Sequence, residues 1–460
     1  MHIFNTLSGK KEDLEEVLGG KKRVNLFVCG PTVYDYVHIG NARTYSAFDL
    51  IVRYLRYRGF KVFYLQNITD IDDKIIRRAN EQKLPWQKLA KKYERAYHEA
   101  ERSLGITAVS RYAPATKYIK EIVRQVQTLV AKGHAYKIEG DGYYYDITTF
   151  PEYGKLSKRT AAQAEDSVSR IDESVHKRNK GDFALWKLSK PGEPSWKTSL
   201  GSGRPGWHIE DTAITEYQFG PQYDLHGGGI DLKFPHHEAE IAQEEAASGK
   251  KPMVKIWMHS GFLNIDSEKM SKSRGGFVSV RDFLTGHSPA IFRYLVASHH
   301  YRSPVDYSDE LARQAESTLD NLAQFAAKLD RSRGEIRADV KSYEPKFLEK
   351  MDDDFNTPEA LAVIFELVNK IQAVKNEIWN LNRLDAKAIK KWITEKLKIL
   401  GVALKAPKIP LKIRFLARRR ELYRSNKQFT QSDVLRKEIE ALGYTTEDTP
   451  SGPFLWPKLS

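Results

Sequence analysis

The sequence predicts an α/β protein: a parallel-sheet domain split by an insertion, then a helical bundle and a small C-terminal module. Three patterns carry that expectation. A strand, a helix and a second strand follow in close succession after residue 23. Regular patterning is lost from about residue 115 to 205 and then returns. From Asp309 to about Leu400 the apolar residues recur at helical spacing with few breakers.

Each element has a local cause. Val24 to Val28 is apolar and β-prone, and Gly30-Pro31 breaks it. A helix is expected from about Asn41 to Arg58, with Phe48, Ile51, Val52 and Leu55 on one face and Gly59 as its stop. Val62 to Gln66 reads as the next strand, and a strand–helix–strand unit implies parallel pairing. The stretch GDGYYYDIT, the polar run AEDSVSRIDESVHKRNKGD and the glycine-rich GSGRPGW mark an insertion between two halves of one sheet. The α/β pattern resumes at YDLHGGG and runs through KIWMHSGF. The last segment holds a basic stretch, a helix from a Thr430 cap to Gly443, and a Gly/Pro-rich end. The resulting division is 1–115 and 206–258 for the split sheet, 116–205 for the insertion, 259–308 as a linking segment, 309–401 for the bundle and 402–460 for the C-terminal module.

Composition narrows the class. At 460 residues, 41% hydrophobic and 29% charged, the chain can build several cores and is not a disordered tail. No stretch approaches the roughly 20 apolar residues of a membrane span. The opening MHIFNTLSGKKEDLEEV lacks the apolar core of a secretory signal, and the single cysteine, Cys29, excludes an intrachain disulfide. A cytoplasmic protein is the expectation. The net charge of +14 points to a polyanionic partner, most often nucleic acid.

Two short motifs suggest phosphate chemistry. VHIGNAR lies where the first strand hands over to the first helix, and helix N-termini offer free N–H groups and a positive dipole end. Gly40 permits close backbone approach, while His38 and Asn41 supply donors for a triphosphate. EKMSKSRGG places Lys269 and Lys272 three apart beside small and glycine residues, which suits a loop that clamps phosphate. It lacks Walker A spacing, so a P-loop reading fails. Alone, the first could be an ordinary turn and the second a solvated charge run.

Together, HIGN and KMSKS resemble the paired signature of class I aminoacyl-tRNA synthetases. FVCGPTVYDYVHIGNART, NITDIDDKIIRRA, GWHIE, DLHGGGIDLKFPHHEAEIAQ and HSGFL narrow the resemblance to cysteinyl-tRNA synthetases, along essentially the whole chain. The resemblance implies a Rossmann-like catalytic domain and ligation of cysteine to its tRNA through a cysteinyl adenylate, using ATP with magnesium. It implies that His38, Gly40, Asn41, Gly228, Gly229, Asp231, Lys269 and Lys272 bind ATP, with His38, Asn41, Lys269 and Lys272 catalytic. Thr69 and Trp207, with Cys29, would line the amino-acid pocket.

The same family uses one zinc to capture the substrate thiolate, and a soft Lewis acid favours sulfur over hydroxyl oxygen. Cys29 follows the first strand, and in FPHHEAE His236 and Glu240 share a helical face at i, i+4, whereas His237 and Glu238 fall off it. The familiar GWHIEC reads GWHIED here, with Asp211 in place of a cysteine. The implied ligand set is therefore Cys29, Asp211, His236 and Glu240, with either an oxygen ligand at Asp211 or a weakened zinc.

Lys405 to Lys427 holds nine Lys or Arg against one acid, Glu421. The resemblance makes this an anticodon-binding module, in which Trp456 could stack an unpaired base. The implied partners are the cysteine tRNA, cysteine and ATP, without a membrane; oligomeric state stays open, a monomer being favoured. Two other readings remain: a related cysteine ligase with an amino-sugar acceptor, and a non-catalytic RNA-binding paralogue. The basic C-terminal third argues against the first, and the presence of His38, Lys269 and Lys272 against the second.

Overall fold

A computed structural model of the chain describes residues 1–159, 174–265, 268–269, 278–373 and 377–458. Two compact units emerge: Met1–Pro289 with His299–Tyr307 and Asp352–Phe355, and Ala290–Ser298 with Ser308–Met351 and Asn356–Ser460.

The first unit starts its sheet with β1 (Arg23–Val28), followed by α1 (Ile39–Tyr57), β2 (Lys61–Ile68), α2 (Trp86–Ser103) and β3 (Arg111–Pro114). Helix α1 begins two residues before the expected Asn41, because His38 caps it: its Nδ1 accepts from the Asn41 N–H at 3.2 Å. An insertion then opens with α3 (Ile119–Ala131) and builds a separate antiparallel sheet from β4 (Ala135–Ile138), β5 (Gly142–Tyr145), β6 (Phe183–Leu188), β7 (Trp196–Thr198) and β8 (Gly201–Pro205). Its spatial order is β4-β5-β6-β8-β7. The main sheet resumes through α4 (Trp207–Phe219), β9 (Tyr223–Gly229), α5 (His236–Ser248) and β10 (Val254–Ser260).

All strands of the main sheet are parallel, in the order β10-β9-β1-β2-β3. The strand order reverses between β1 and β9, and in open α/β sheets the crevice beyond the carboxyl ends at that switch point is where ligands bind. The pairing there is tight: Cys29 N–H donates to the Gly227 carbonyl at 3.1 Å. Gly30 has no room for a side chain, since a Cβ would stand 1.8 Å from the Asn67 carbonyl oxygen. The buried Arg43 guanidinium fastens α1 to the chain beyond β10 by donating to the carbonyls of Gly261, Tyr301 and Ser303. Burial draws it down to about 10. Two short strands, β11 (Leu263–Ile265) and β12 (Glu268–Lys269), form a hairpin, and α6 (Val280–Gly286) follows.

One buried acid in this unit is set for a stability test. Glu244 of α5 accepts from Gln125 Nε2 of α3 at 2.7 Å, while its Oε1 has no hydrogen-bond partner among the described residues. Burial, followed by the nearby Glu216 charge, pushes its carboxyl from an ordinary 4.5 up to about 9. Because the folded value lies above the unfolded one, the protonated acid's stabilisation is complete below about 4.5 and is lost as pH rises towards 9. Glu244→Gln, a neutral isostere, is expected to raise Tm by several degrees at pH 8 and hardly at all at pH 5. A thermal melt at the two pH values checks this.

The second unit is helical, with α7 (Asp309–Leu329), α8 (Thr357–Gln372), α9 (Arg383–Ile399), α10 (Leu411–Ser425) and α11 (Phe429–Ala441) among its helices. It closes on a hairpin of β13 (Tyr444–Glu447) and β14 (Phe454–Pro457). Two expectations change here. Thr430 is not a cap, since α11 starts at Phe429 with no side-chain cap. Trp456 is 3% exposed, stacks on Phe454 at 5.8 Å and donates Nε1 to Asp320 of α7 at 2.9 Å. An indole packed and hydrogen-bonded in this way cannot stack a base. Arg420 is buried too, paired with Asp448. The solvent side of α10 instead carries Arg414, Arg418 and Arg419 around Phe415, which is 61% exposed. Because β14 packs on α7, removing residues 402–460 would strip the helical unit's own core, so point substitutions on α10 are the cleaner probe.

Candidate functional site

A cleft of about 290 Å³ opens at the carboxyl ends of β1 and β9, the switch point of the sheet. One wall is the chain from Cys29 to Asn41; the other includes Gly229, Asp231 and Gly261. His38, Gly40 and Asn41 all line it at the start of α1, whose first turn contains no acid. Nineteen residues of aligned peptide dipoles therefore present a positive end to the cleft. Trp207 lines the cleft as well, whereas Thr69 and Gly228 lie outside its wall. Thr69 is buried and donates its hydroxyl to Glu210 at 2.7 Å. Gly228 serves close packing: a Cβ there would stand 2.7 Å from the His237 ring. The Lys269 side chain and the whole of Lys272 lie outside the described residues.

Beneath the cleft sits a buried polar cluster. Cys29 comes from the end of β1, Asp211 from α4, and His236 and Glu240 from the first turns of α5. One donor atom from each lies within 4.8 Å of all the others. His236 Nε2 is 3.0 Å from Asp211 Oδ2 and 3.0 Å from Glu240 Oε1, and Cys29 Sγ is 3.8 Å from Glu240 Oε1. For metal bonds of about 2.0–2.3 Å, a tetrahedron has edges of roughly 3.3–3.8 Å, so this donor set has a size suited to zinc.

The surroundings orient the donors. The His236 ring stacks on Trp207 at 4.3 Å, and its Nδ1 is 2.7 Å from His208 Nδ1, which leaves Nε2 facing the cluster. Asp211 accepts from the Asn67 amide through Oδ1, while Asn67 Oδ1 accepts from the Gly30 N–H. Asn67 thus ties the first loop to the carboxylate. Among the described residues Glu240 Oε2 has no hydrogen-bond partner. Burial, then the neighbouring Asp211 charge, pushes the Glu240 carboxyl well above its usual range; burial, then Glu240 and Asp211, does the same to the Cys29 thiol. A bound dication inverts that logic and favours the anionic forms.

The cluster is larger than the sequence suggested. His237 Nε2 lies 3.1 Å from Cys29 Sγ and His226 Nε2 lies 3.4 Å away, so Cys29, His226, His237 and Glu240 form a second, overlapping tetrad. The expectation that His237 turns away from the cluster is thereby corrected: Glu240 is its i+3 neighbour, and i, i+3 pairs also meet on a helix. Glu238 does face elsewhere, accepting from the backbone N–H groups of Leu156 and Ser157. Burial drives His226 and His237 well below the usual histidine range, so both are neutral and able to offer a nitrogen lone pair.

Comparisons with known proteins identify the family. Residues 15–317 match the family model described as tRNA synthetases class I (C) catalytic domain, and residues 346–405 match the DALR domain. A methionyl-tRNA synthetase of Mycobacterium tuberculosis, solved in complex with methionyl-adenylate, shares the fold with a TM-score of 0.60 at 16% identity, covering 83% of this chain and 90% of that one. Cysteine–tRNA ligase of Thermococcus onnurineus (strain NA1) is 40% identical over 100% of this chain and 99% of its own. That of Trichlorobacter lovleyi is 41% identical over 98% of each. The chain belongs to the cysteine–tRNA ligase family of class I aminoacyl-tRNA synthetases. Among the described residues, no helix is long and apolar enough to cross a membrane.

Proposed function

We propose that the chain joins cysteine to its tRNA in two steps, with the cleft at the switch point as the reaction chamber. The cysteine carboxylate attacks the α-phosphorus of ATP, giving cysteinyl adenylate and pyrophosphate. The terminal ribose hydroxyl of the tRNA then attacks the carbonyl carbon and releases AMP. One observation carries the reading: the positive end of α1, with His38, Gly40 and Asn41, shares a single cleft with Cys29 of the buried cluster.

The residues divide the work. The positive dipole end of α1 and the side chains of His38 and Asn41 meet the phosphates, where preorganised dipoles stabilise developing charge. Gly229 and Asp231 form the facing wall, against the nucleoside. Lys269 and Lys272 bring cations to the pyrophosphate side. Trp207 supplies an aromatic wall and holds the His236 ring. Cys29, Asp211, His236 and Glu240 would hold one zinc ion, and Asn67 and His208 keep Asp211 and His236 in register. When bound, zinc supplies a soft Lewis acid that prefers the cysteine sulfur to the serine oxygen. In the helical unit, the exposed face of α10 with Phe415 is the surface for the anticodon.

Cysteine-dependent exchange of pyrophosphate into ATP, followed by charging of the cysteine tRNA, tests the proposal; exchange with no dependence on cysteine would overturn it. Lys272→Ala is expected to slow exchange by about ten- to a hundredfold while tRNA affinity changes little, because a phosphate clamp acts mainly in the transition state. Steady-state exchange kinetics alongside tRNA binding separate the two effects.

A further inference from the structure

A second groove runs beside the main cleft, between α2 and α6, with a volume of about 580 Å³. Its walls carry Lys92 and Arg95 from α2 and Arg281 from α6, all exposed. None of the three has an acid partner among the described residues. Lys92 leans over the Tyr93 ring at 5.0 Å and Arg281 lies 5.9 Å from the Tyr36 ring. Among the described residues the groove holds one acid, Glu99. The nearby Asp282 is turned to its own helix cap, accepting from Ser279 Oγ at 2.7 Å. Three cations against one acid, in an open trough, form a surface suited to a polyanion.

The position says which polyanion. Tyr36 and Val37 line both the groove and the main cleft, so the two are continuous just before His38. Lys88, Lys92, Arg95 and Glu99 recur along α2 at i, i+4, i+7 and i+11, making one helical face whose first three members are basic. Tyr36, 36% exposed, adds an aromatic surface at the junction. Cations along a track and an exposed ring at its end suit a single strand, whose phosphates take the charge while an unpaired base meets the ring.

We infer that the α2–α6 groove is where the acceptor strand of the tRNA lays its phosphate backbone as its 3′ end enters the cleft. This inference rests on the two-step reading above, and it assigns Lys92, Arg95 and Arg281 to the second substrate alone.

The test uses the full chain, the whole cysteine tRNA and a hairpin that reproduces only its acceptor arm. Lys92→Glu with Arg95→Glu, and separately Arg281→Glu, should each raise the KM for tRNA at least about tenfold. The double variant should also flatten the salt dependence of tRNA affinity by roughly 1.4–1.8, the slope attached to two lost phosphate contacts. The acceptor hairpin should suffer the same loss. Cysteine-dependent pyrophosphate exchange should stay within about twofold, which also reports an intact fold, and Lys92→Arg with Arg95→Lys should behave as wild type. A wild type that binds and charges tRNA while the reversed variants keep its KM and salt slope would overturn the groove and leave the two-step reading standing. So would a loss confined to whole tRNA and absent with the hairpin, since that places the contact on another limb. A wild type that exchanges pyrophosphate but binds no tRNA would overturn both.

Discussion

His236→Ala is expected to empty the metal site and, with it, to remove most discrimination between cysteine and serine. The argument is geometric. His236 Nε2 sits at 3.0 Å from both Asp211 and Glu240, so it is the nitrogen ligand between two carboxylates. Without it, Glu240 and the Cys29 thiol, which burial already drives towards protonation, remain buried together beside Asp211. The cavity left by the imidazole also frees Trp207, which stacks on it at 4.3 Å. Elemental analysis should fall from about one zinc per chain to almost none. Pyrophosphate exchange with cysteine should drop by at least about a hundredfold, while the weak exchange with serine changes little. Full zinc occupancy and unchanged selectivity in the variant would refute the assignment of His236.

How much of this was legible in the sequence follows from the range of the forces involved. The strands β1 and β9 and the helix α1 are written in local pattern: apolar runs broken by glycine, and a 3.6-residue stripe. The partners Cys29, His236 and Glu240 were reachable through the helical i, i+4 rule together with the family resemblance. Thr69 shows the limit. Its type and position suit a pocket, yet its hydroxyl is spent on Glu210 inside the core, a pairing across 141 positions of chain. His226 was missed because a histidine in an apolar strand reads as core. The signal lay in the period of two, which puts His226 on the same face as Gly228, where a missing side chain makes room for His237. Trp456 failed for the opposite reason. A terminal aromatic after Gly and Pro reads as exposed, but its Nε1 finds Asp320 and its ring finds Phe454, contacts that only the tertiary fold brings together.

The Asp211 position offers the sharpest test of the cluster, because two substitutions there are expected to part company. Asp211→Asn keeps the shape and an oxygen for the Asn67 amide, so the loop from Gly30 stays tied. It removes the negative charge and turns an N–H donor towards His236, which already needs an acceptor or a cation at that point. Zinc affinity should fall at least about tenfold to a hundredfold, the range associated with disturbed metal surroundings. Asp211→Cys makes the reverse exchange: the link to Asn67 weakens, but a thiolate is a competent zinc ligand. It should therefore retain about one zinc and remain active. The softer shell also predicts a direction for selectivity. One more sulfur makes the metal less attractive to oxygen, so the cysteine-to-serine preference of Asp211→Cys should equal or exceed that of wild type. Zinc titration and parallel binding of cysteine and serine to the three proteins measure both effects. If Asp211→Asn binds zinc as tightly as wild type, Asp211 is only a neighbour of the metal. Cys29, His226, His237 and Glu240, the overlapping tetrad, would then be the set to test in its place.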